Sequence, residues 1–137
     1  MQSSIEKQVS DTLDRLHEYA SQADLERYLD LFAEDAVFMG TDKDERWPLE
    51  IFCPYVAKRF EGGTGWTYRA VERHVSANPE GTVAWFDERL QHETGEARGS
   101  GVLVRKDGEW RIAQYNLGFP IPNELLRPFR DIMRVVR

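Results

Sequence analysis

The stretch Arg98–Asn123, RGSGVLVRKDGEWRIAQYNLGFPIPN, constrains this chain more than any other. Val102–Arg105 is a β-rich run. Asp107-Gly108 follows it, a pair that favours the tight positive-φ turn between antiparallel strands. Trp110–Leu117 is the return strand. Pro120 and Pro122 have no N–H to give a ladder, so pairing ends there. The stretch therefore reads as the hairpin that closes a sheet, with a sharp exit.

Upstream, the periodicity is helical. Ser3-x-x-Glu6 has the form of a capping box, and Ile5, Val9, Leu13, Leu16 and Ala20 form one apolar stripe. Asp24 can cap a short second helix whose inner face is Leu25, Tyr28, Leu29 and Phe32. Ala36–Thr41 reads as a short strand and Asp42–Arg46 as a charged loop. Trp47-Pro48 opens a third helix, with Pro48 at its first position, where a missing N–H costs nothing. Leu49, Phe52, Val56 and Phe60 give that helix its buried stripe, and Gly62-Gly63 ends it.

After Gly65 the period changes to two. Trp66–Ala77, Thr82–Glu93, Ala97–Lys106 and Glu109–Phe119 make a meander of four strands. Leu125–Val136 is helical again, and either begins at Pro128 or is kinked there. One face of such a sheet needs cover, and the three leading helices can supply it. The expected fold is α+β: a curved antiparallel sheet wrapped around three N-terminal helices, a cone with a central cavity, in a single domain over residues 1–137.

Composition narrows the functional classes. The net charge of −6 argues against a nucleic-acid partner. There is no run of about 18 apolar residues, so no membrane partner is expected. Cys53 is the one cysteine, so no internal disulfide forms. The polar first thirty residues argue against a secretory signal, and the expected location is the cytoplasm. Arg127, Arg130, Arg134 and Arg137 recur at helical spacing, as a solvated stripe or as an anion or partner site.

Three segments carry a family resemblance. Leu31-Phe32-Ala33-Glu34-Asp35-Ala36-Val37-Phe38 resembles the F-x-x-D-A segment after the second helix of the SnoaL-like, nuclear transport factor 2-like superfamily. Gly40-Thr41-Asp42 with Glu45-x-Trp47 resembles the end of the first strand in one subgroup. Asp107-Gly108-Glu109-Trp110-Arg111-Ile112 resembles the late D-G-x-W-x-I hairpin. The resemblance implies an α+β cone, often dimeric through the outer sheet face. The superfamily includes isomerases, polyketide cyclases, dehydratases, oxygenase subunits and non-catalytic binders. The carboxylate base of steroid isomerase-like members would fall near Gly40, which cannot serve. The acid of cyclase-like members would fall at Gln114-Tyr115-Asn116, where there is none.

Alternation sorts the strand candidates. Trp110, Ile112, Gln114 and Asn116 share a face, expected to point into the cone. Arg111, Ala113, Tyr115 and Leu117 would face outward, unless a bulge reverses the assignment. On the preceding strand, Trp85 and Asp87 share one face, while Ala84, Phe86, Glu88 and Leu90 share the other. Which face is inside stays open. An inward Asp87 beside Trp85 and Phe60 would be suited to proton transfer. Alternatively, Asp87 or Glu88 pairs with a cross-strand arginine such as Arg98 or Arg105.

His17 is expected on the polar flank of the first helix, and His74 is the histidine best placed to reach the cavity. Neither they nor His92 shows metal spacing, so no metal and no cofactor is expected. Asp42, Asp44 and Glu45 read as a solvated acidic loop, and Trp47 as a lid over the cavity or a helix staple. Cys53 reads as a small buried hydrophobe. Gly62-Gly63-x-Gly65 is not a phosphate cradle, and the glycines of Arg98-Gly99-Ser100-Gly101 let the sheet bend.

Three functional readings follow. In the first, the cavity binds a small apolar or partly polar molecule through Trp47, Phe60, Trp85, Arg98, Gln114 and Asn116. In the second, the chain is a cofactor-free isomerase or cyclase with Asp87 or His74 as base. In the third, which is compatible with the first, the outer sheet face, with Tyr115, Leu117 and Phe119, and the arginine-rich tail join a second copy, as a homodimer, or another protein.

Overall fold

The computed structural model describes residues 4–136, so Ser3 of the capping box and Arg137 of the arginine stripe lie outside the described residues. Helix α1 (Ser4–Gln22) buries Val9, Leu13, Leu16 and Ala20. Asp24 caps α2 (Leu25–Asp30), its carboxylate accepting from the Arg27 N–H. Strand β1 (Phe32–Met39) runs into β2 (Arg46–Pro48), and α3 (Leu49–Phe60) follows. Pro48 caps α3 rather than starting it, and Pro54 lies inside it. The fully buried Phe52 and Val56 lie on its inner face; burial of each such side chain stabilises by about 1.5–3 kcal/mol.

Strands β3 (Arg69–Ala77), β4 (Val83–His92), β5 (Gly95–Lys106) and β6 (Glu109–Gly118) form the meander. Asp107 and Gly108 take φ of 53° and 80°, the turn that the pair favours. A short 3₁₀ turn at Asn123–Leu125 leads into α4 (Leu126–Val136). Pro128 stands third in α4 without ending it, because the first-turn N–H groups have no intrahelical partner to lose.

The sheet order is β2-β1-β6-β5-β4-β3. It is curved and unclosed, and it is mixed rather than wholly antiparallel. The exception is β1, which pairs with β6 in parallel. The chain leaves β1 through β2 and α3 and returns across the sheet from the far edge, so β6 arrives beside β1 running the same way. Helix α1 packs on β3 and β6, and α3 packs on β1 and β2.

Two face assignments decide what enters the core. In β6 the register slips: Leu103 faces Ile112 but Val102 faces Gln114, so Ala113 is an extra residue. This bulge reverses the outer half of the strand. Trp110 and Ile112 point inward, and so do Tyr115 and Leu117, while Gln114 and Asn116 point out. A side chain at Gly101 would strike the carbonyl oxygen of Gln114, so the bulge is accommodated only where the neighbouring strand has no Cβ. In β4, Ala84, Phe86, Glu88 and Leu90 are the buried set and Trp85 and Asp87 lie outside. Trp110 is 7% exposed and its indole N–H donates to Gln8 Oε1 at 3.0 Å.

Candidate functional site

Among the described residues, one carboxylate is buried in the cone. Alternation along β4 carries Glu88 inward, and its side chain is fully buried. Arg73 on β3 stands directly across from it. The Arg73 Nε–H donates to Glu88 Oε1 at 2.7 Å. The Tyr115 hydroxyl donates to Glu88 Oε2 at 2.5 Å, and His17 Nε2 lies 2.8 Å from the same oxygen. Arg73 Nη1 reaches back to α1, to Asp14 Oδ1 at 2.8 Å and the Ser10 carbonyl at 3.1 Å. Gly99 makes room for this cluster, since a Cβ there would strike the Tyr115 hydroxyl and sit 3.0 Å from Glu88 Oε2.

Burial alone would raise the Glu88 pKa. The His17 hydrogen bond, the charges of His17 and Arg73 and the Tyr115 hydroxyl outweigh it and hold the carboxyl below its ordinary value. Burial and the adjacent carboxylate push the Tyr115 phenol well up. The carboxylate is thus ionised, and both of its oxygens are engaged by partners. It ties α1 to the sheet and has no free lone pair aimed at open space. This corrects one sequence-based expectation: His17 turns inward from α1 rather than lying on its polar flank. Glu88 does pair with a cross-strand arginine, which is Arg73 rather than Arg98 or Arg105.

Above this cluster the cone is packed with rings. Tyr115 stacks on Phe38 at 5.6 Å between centroids, and Phe38 stacks on Phe52 at 4.5 Å. Toward the mouth the packing opens into a recess of about 190 Å³. Its walls come from five parts of the chain. β1 and its following loop give Phe38, Gly40 and Thr41. The β2 edge gives Glu45 and Trp47, α3 gives Phe52, Tyr55 and Arg59, the approach to β3 gives Trp66 and Tyr68, and β6 gives Leu117. Trp47 and Tyr55 are stacked at 4.2 Å. The Arg59 guanidinium lies 5.6 Å from the centre of the Trp66 ring.

Glu45 and Arg59 are the charged groups among these residues. A Cβ on Gly40 would overlap Glu45 Oε1, so the glycine leaves the space that this carboxylate fills. The loop is braced by its own bonds: the Asp42 N–H donates to Glu45 Oε1 at 3.1 Å and the Asp44 N–H to Asp42 Oδ2 at 3.0 Å. The recess can therefore take a flat body against its rings, with the Glu45 carboxylate, the Arg59 guanidinium and the hydroxyl-bearing Thr41, Tyr55 and Tyr68 in its lining. Among the described residues no group of His, Cys, Asp or Glu is arranged to hold a metal.

The residues expected at the cavity separate in the structure. Trp47 lines the recess. Phe60 lies behind it, 6% exposed, against Trp66 and Tyr28. Trp85 is 48% exposed on the outer sheet face. Gln114 and Asn116 are turned outward by the bulge. Arg98 is exposed on the outer face of β5, across from Arg89. Asp87 and His74 face each other across β3 and β4, also outside. His74 bonds Glu72 at 2.7 Å, and this contact raises its pKa. Neither Asp87 nor His74 points into the cone, where a base acting in its cavity would have to stand. Cys53 is half-buried, and burial pushes its thiol pKa up.

Tyr55, Arg59 and Tyr68 were not anticipated from the sequence. The first two were visible in principle, because Phe52, Tyr55 and Arg59 are spaced by three and four and share a helix side. Glu45 was seen, but as part of a solvated loop. Only the Gly40 gap explains its inward course.

Comparison with known proteins places this arrangement. The sequence matches the SnoaL-like domain over residues 9–122. No curated protein matches it. Among solved structures, an NTF2-like protein of unknown function from Pseudomonas putida has a TM-score of 0.72 at 13% identity, over 90% of this chain and 92% of that one. A cystatin-like fold protein from Caulobacter vibrioides has a TM-score of 0.74 at 10% identity, over 92% and 96%. A protein named as a candidate scytalone dehydratase from Novosphingobium aromaticivorans has a TM-score of 0.67 at 12% identity, over 85% and 84%. At such identities these likenesses concern the fold. No helix among the described residues is long and apolar enough to cross a membrane.

Proposed function

The chain belongs to the SnoaL-like domain family, and from that premise we propose that it binds a small, flat, largely apolar molecule in the aromatic recess at the mouth of the cone. One observation carries the reading: an open volume of about 190 Å³ bounded by the stacked Trp47–Tyr55 and Phe38–Phe52 pairs. An apolar cavity of roughly 150 Å³ accepts a benzene ring, so the recess suits one substituted ring. Glu45 and Arg59 would orient a single polar substituent. Trp47 and its stacked neighbours do the binding in this reading. Phe60 acts from behind, by holding Trp66.

The test is a thermal-shift screen of monocyclic aromatic compounds. A binder present at a hundred times its Kd stabilises the fold by about 2.7 kcal/mol. Trp47→Ala is expected to abolish the rise in melting temperature, while Trp85→Ala keeps it. A screen in which no ring-bearing compound raises the melting temperature counts against the proposal, as does an equal response from Trp47→Ala.

Pairing of two copies through the outer sheet face is the accompanying reading. It is supported by Trp85, half exposed and in register with Val102 on the next strand. An indole left in water beside a valine invites cover. Trp85→Glu is expected to halve the mass measured by light scattering. An unchanged mass speaks against the sheet as the interface.

A further inference from the structure

Helix α4 has a face that demands cover, and its own chain does not supply it. By helical spacing, Leu125, Leu126, Phe129, Ile132, Met133 and Val136 fall on one half of the cylinder. Arg127, Arg130, Asp131 and Arg134 fall on the other. No described residue of α4 is buried: Phe129 is 38% exposed and Ile132 61%. An isolated helix shorter than about 12–15 residues is marginal in water, so eleven residues need a partner to stay helical.

A matching surface lies at the opposite end of the sheet, beside the β5–β6 turn. It is a groove of about 640 Å³ lined by Ala33, Val104 and the edge of the otherwise buried Phe32, and by the acids Glu34, Asp35 and Asp107 together with Lys106. Arg111, also in the groove, is already paired with Asp30 and Glu109. No ion pair joins Glu34, Asp35 or Asp107 to another described residue.

The groove is out of reach of its own helix. Residues 109–118 of β6 separate the two ends by about 30 Å at some 3.4 Å per residue. Phe119–Pro122 spans about 14 Å at most, so only the far tip of α4 would arrive. We infer that α4 of one copy docks in this groove of a second copy. Its apolar half lies along Ala33 and Val104, and Arg127 and Arg130 face Glu34, Asp35 and Asp107, which outnumber the Lys106 cation beside them. Charge selects a second copy over an anionic membrane. Residues 123–137 hold four of the 18 basic and two of the 24 acidic residues, which is +2 for the tail and leaves −8 for the rest. An anionic lipid surface would attract the tail and repel the body, whereas another copy attracts the tail with its body.

The test is sedimentation velocity of the full chain at tens of micromolar, in a Trp85→Glu background so that sheet pairing is removed whether or not it occurs. That chain is expected to self-associate, and its Kd to weaken by about tenfold as salt is raised from low to physiological. Phe129→Asp and the pair Glu34→Lys/Asp35→Lys each return it to monomer. These residues are exposed, so the far-ultraviolet dichroism of either variant stays that of the parent. Mixing the two variants restores a one-to-one pair, because the intact helix of one meets the intact groove of the other. A monomeric Trp85→Glu parent or a mixture that stays monomeric overturns the inference. So does Phe129-dependent pelleting of the chain with phosphatidylglycerol vesicles while the protein stays monomeric in solution.

Discussion

Glu88 and Arg73 are the residues whose removal is most consequential. Glu88→Gln keeps the volume but leaves the largely buried Arg73 guanidinium under α1 without its buried counter-charge. Removing one partner of a buried pair costs about 3–5 kcal/mol. The pH dependence has a definite sign. The folded pKa of Glu88 lies below its unfolded value, burial being outweighed by His17, Arg73 and Tyr115. Its stabilising contribution is therefore complete above the unfolded carboxyl value of about 4.3 and is lost as pH falls through the lower folded value. In urea unfolding, the gap between the parent chain and Glu88→Gln is expected to be widest near neutral pH and to close on acidification below about pH 4. A gap that widened with acid would contradict the role given to Glu88. The sequence displayed the alternation of β4 but not its inward face, because each face carries both a large aromatic and an acid. The partners that decide the matter, His17 and Arg73, lie 71 and 15 residues away in the chain.

At the scale of elements, the closing hairpin was legible because its turn chemistry is local. Asp107 and Gly108 specify the turn whatever surrounds them. The bulge at Ala113 was not legible, because its cause sits on the neighbouring strand, where Gly101 leaves room for the displaced Gln114 carbonyl. One extra residue exchanged the inward and outward sets, so Gln114 and Asn116 left the cone and Tyr115 and Leu117 entered it. Gly101→Ala is expected to destabilise by about 1–3 kcal/mol, the range for overpacking a close contact. Gly118→Ala, where a Cβ meets nothing within 4 Å, is expected to stay within about 0.5 kcal/mol of the parent. Guanidinium unfolding of the two variants checks this. Equal effects would mean that Gly101 has no special role in the register.

For the whole molecule, the order of helices and strands was enough to foresee a cone, since a one-faced sheet must be covered and only the leading helices were available. The parallel β1–β6 pairing was not foreseeable from local pattern, because it depends on how the chain returns after α3. The candidate site was legible to the extent that it rests on Trp47. The remainder of the recess depends on ring packing between α3, β1 and the β3 approach, which no single stretch of sequence displays. The proposed ligand site is the aromatic recess at the mouth of the cone. The four tryptophans report on it separately, because Trp47 and Trp66 line the recess, Trp85 is on the outer sheet and Trp110 is buried against Gln8. The most direct measurement is a titration of the ¹⁵N-labelled chain with an aromatic compound that raises its melting temperature, following the four indole N–H resonances. Movement of the Trp47 and Trp66 signals, with Trp85 and Trp110 stationary, is the expected result; movement of Trp85 or Trp110 with Trp47 and Trp66 fixed would contradict it.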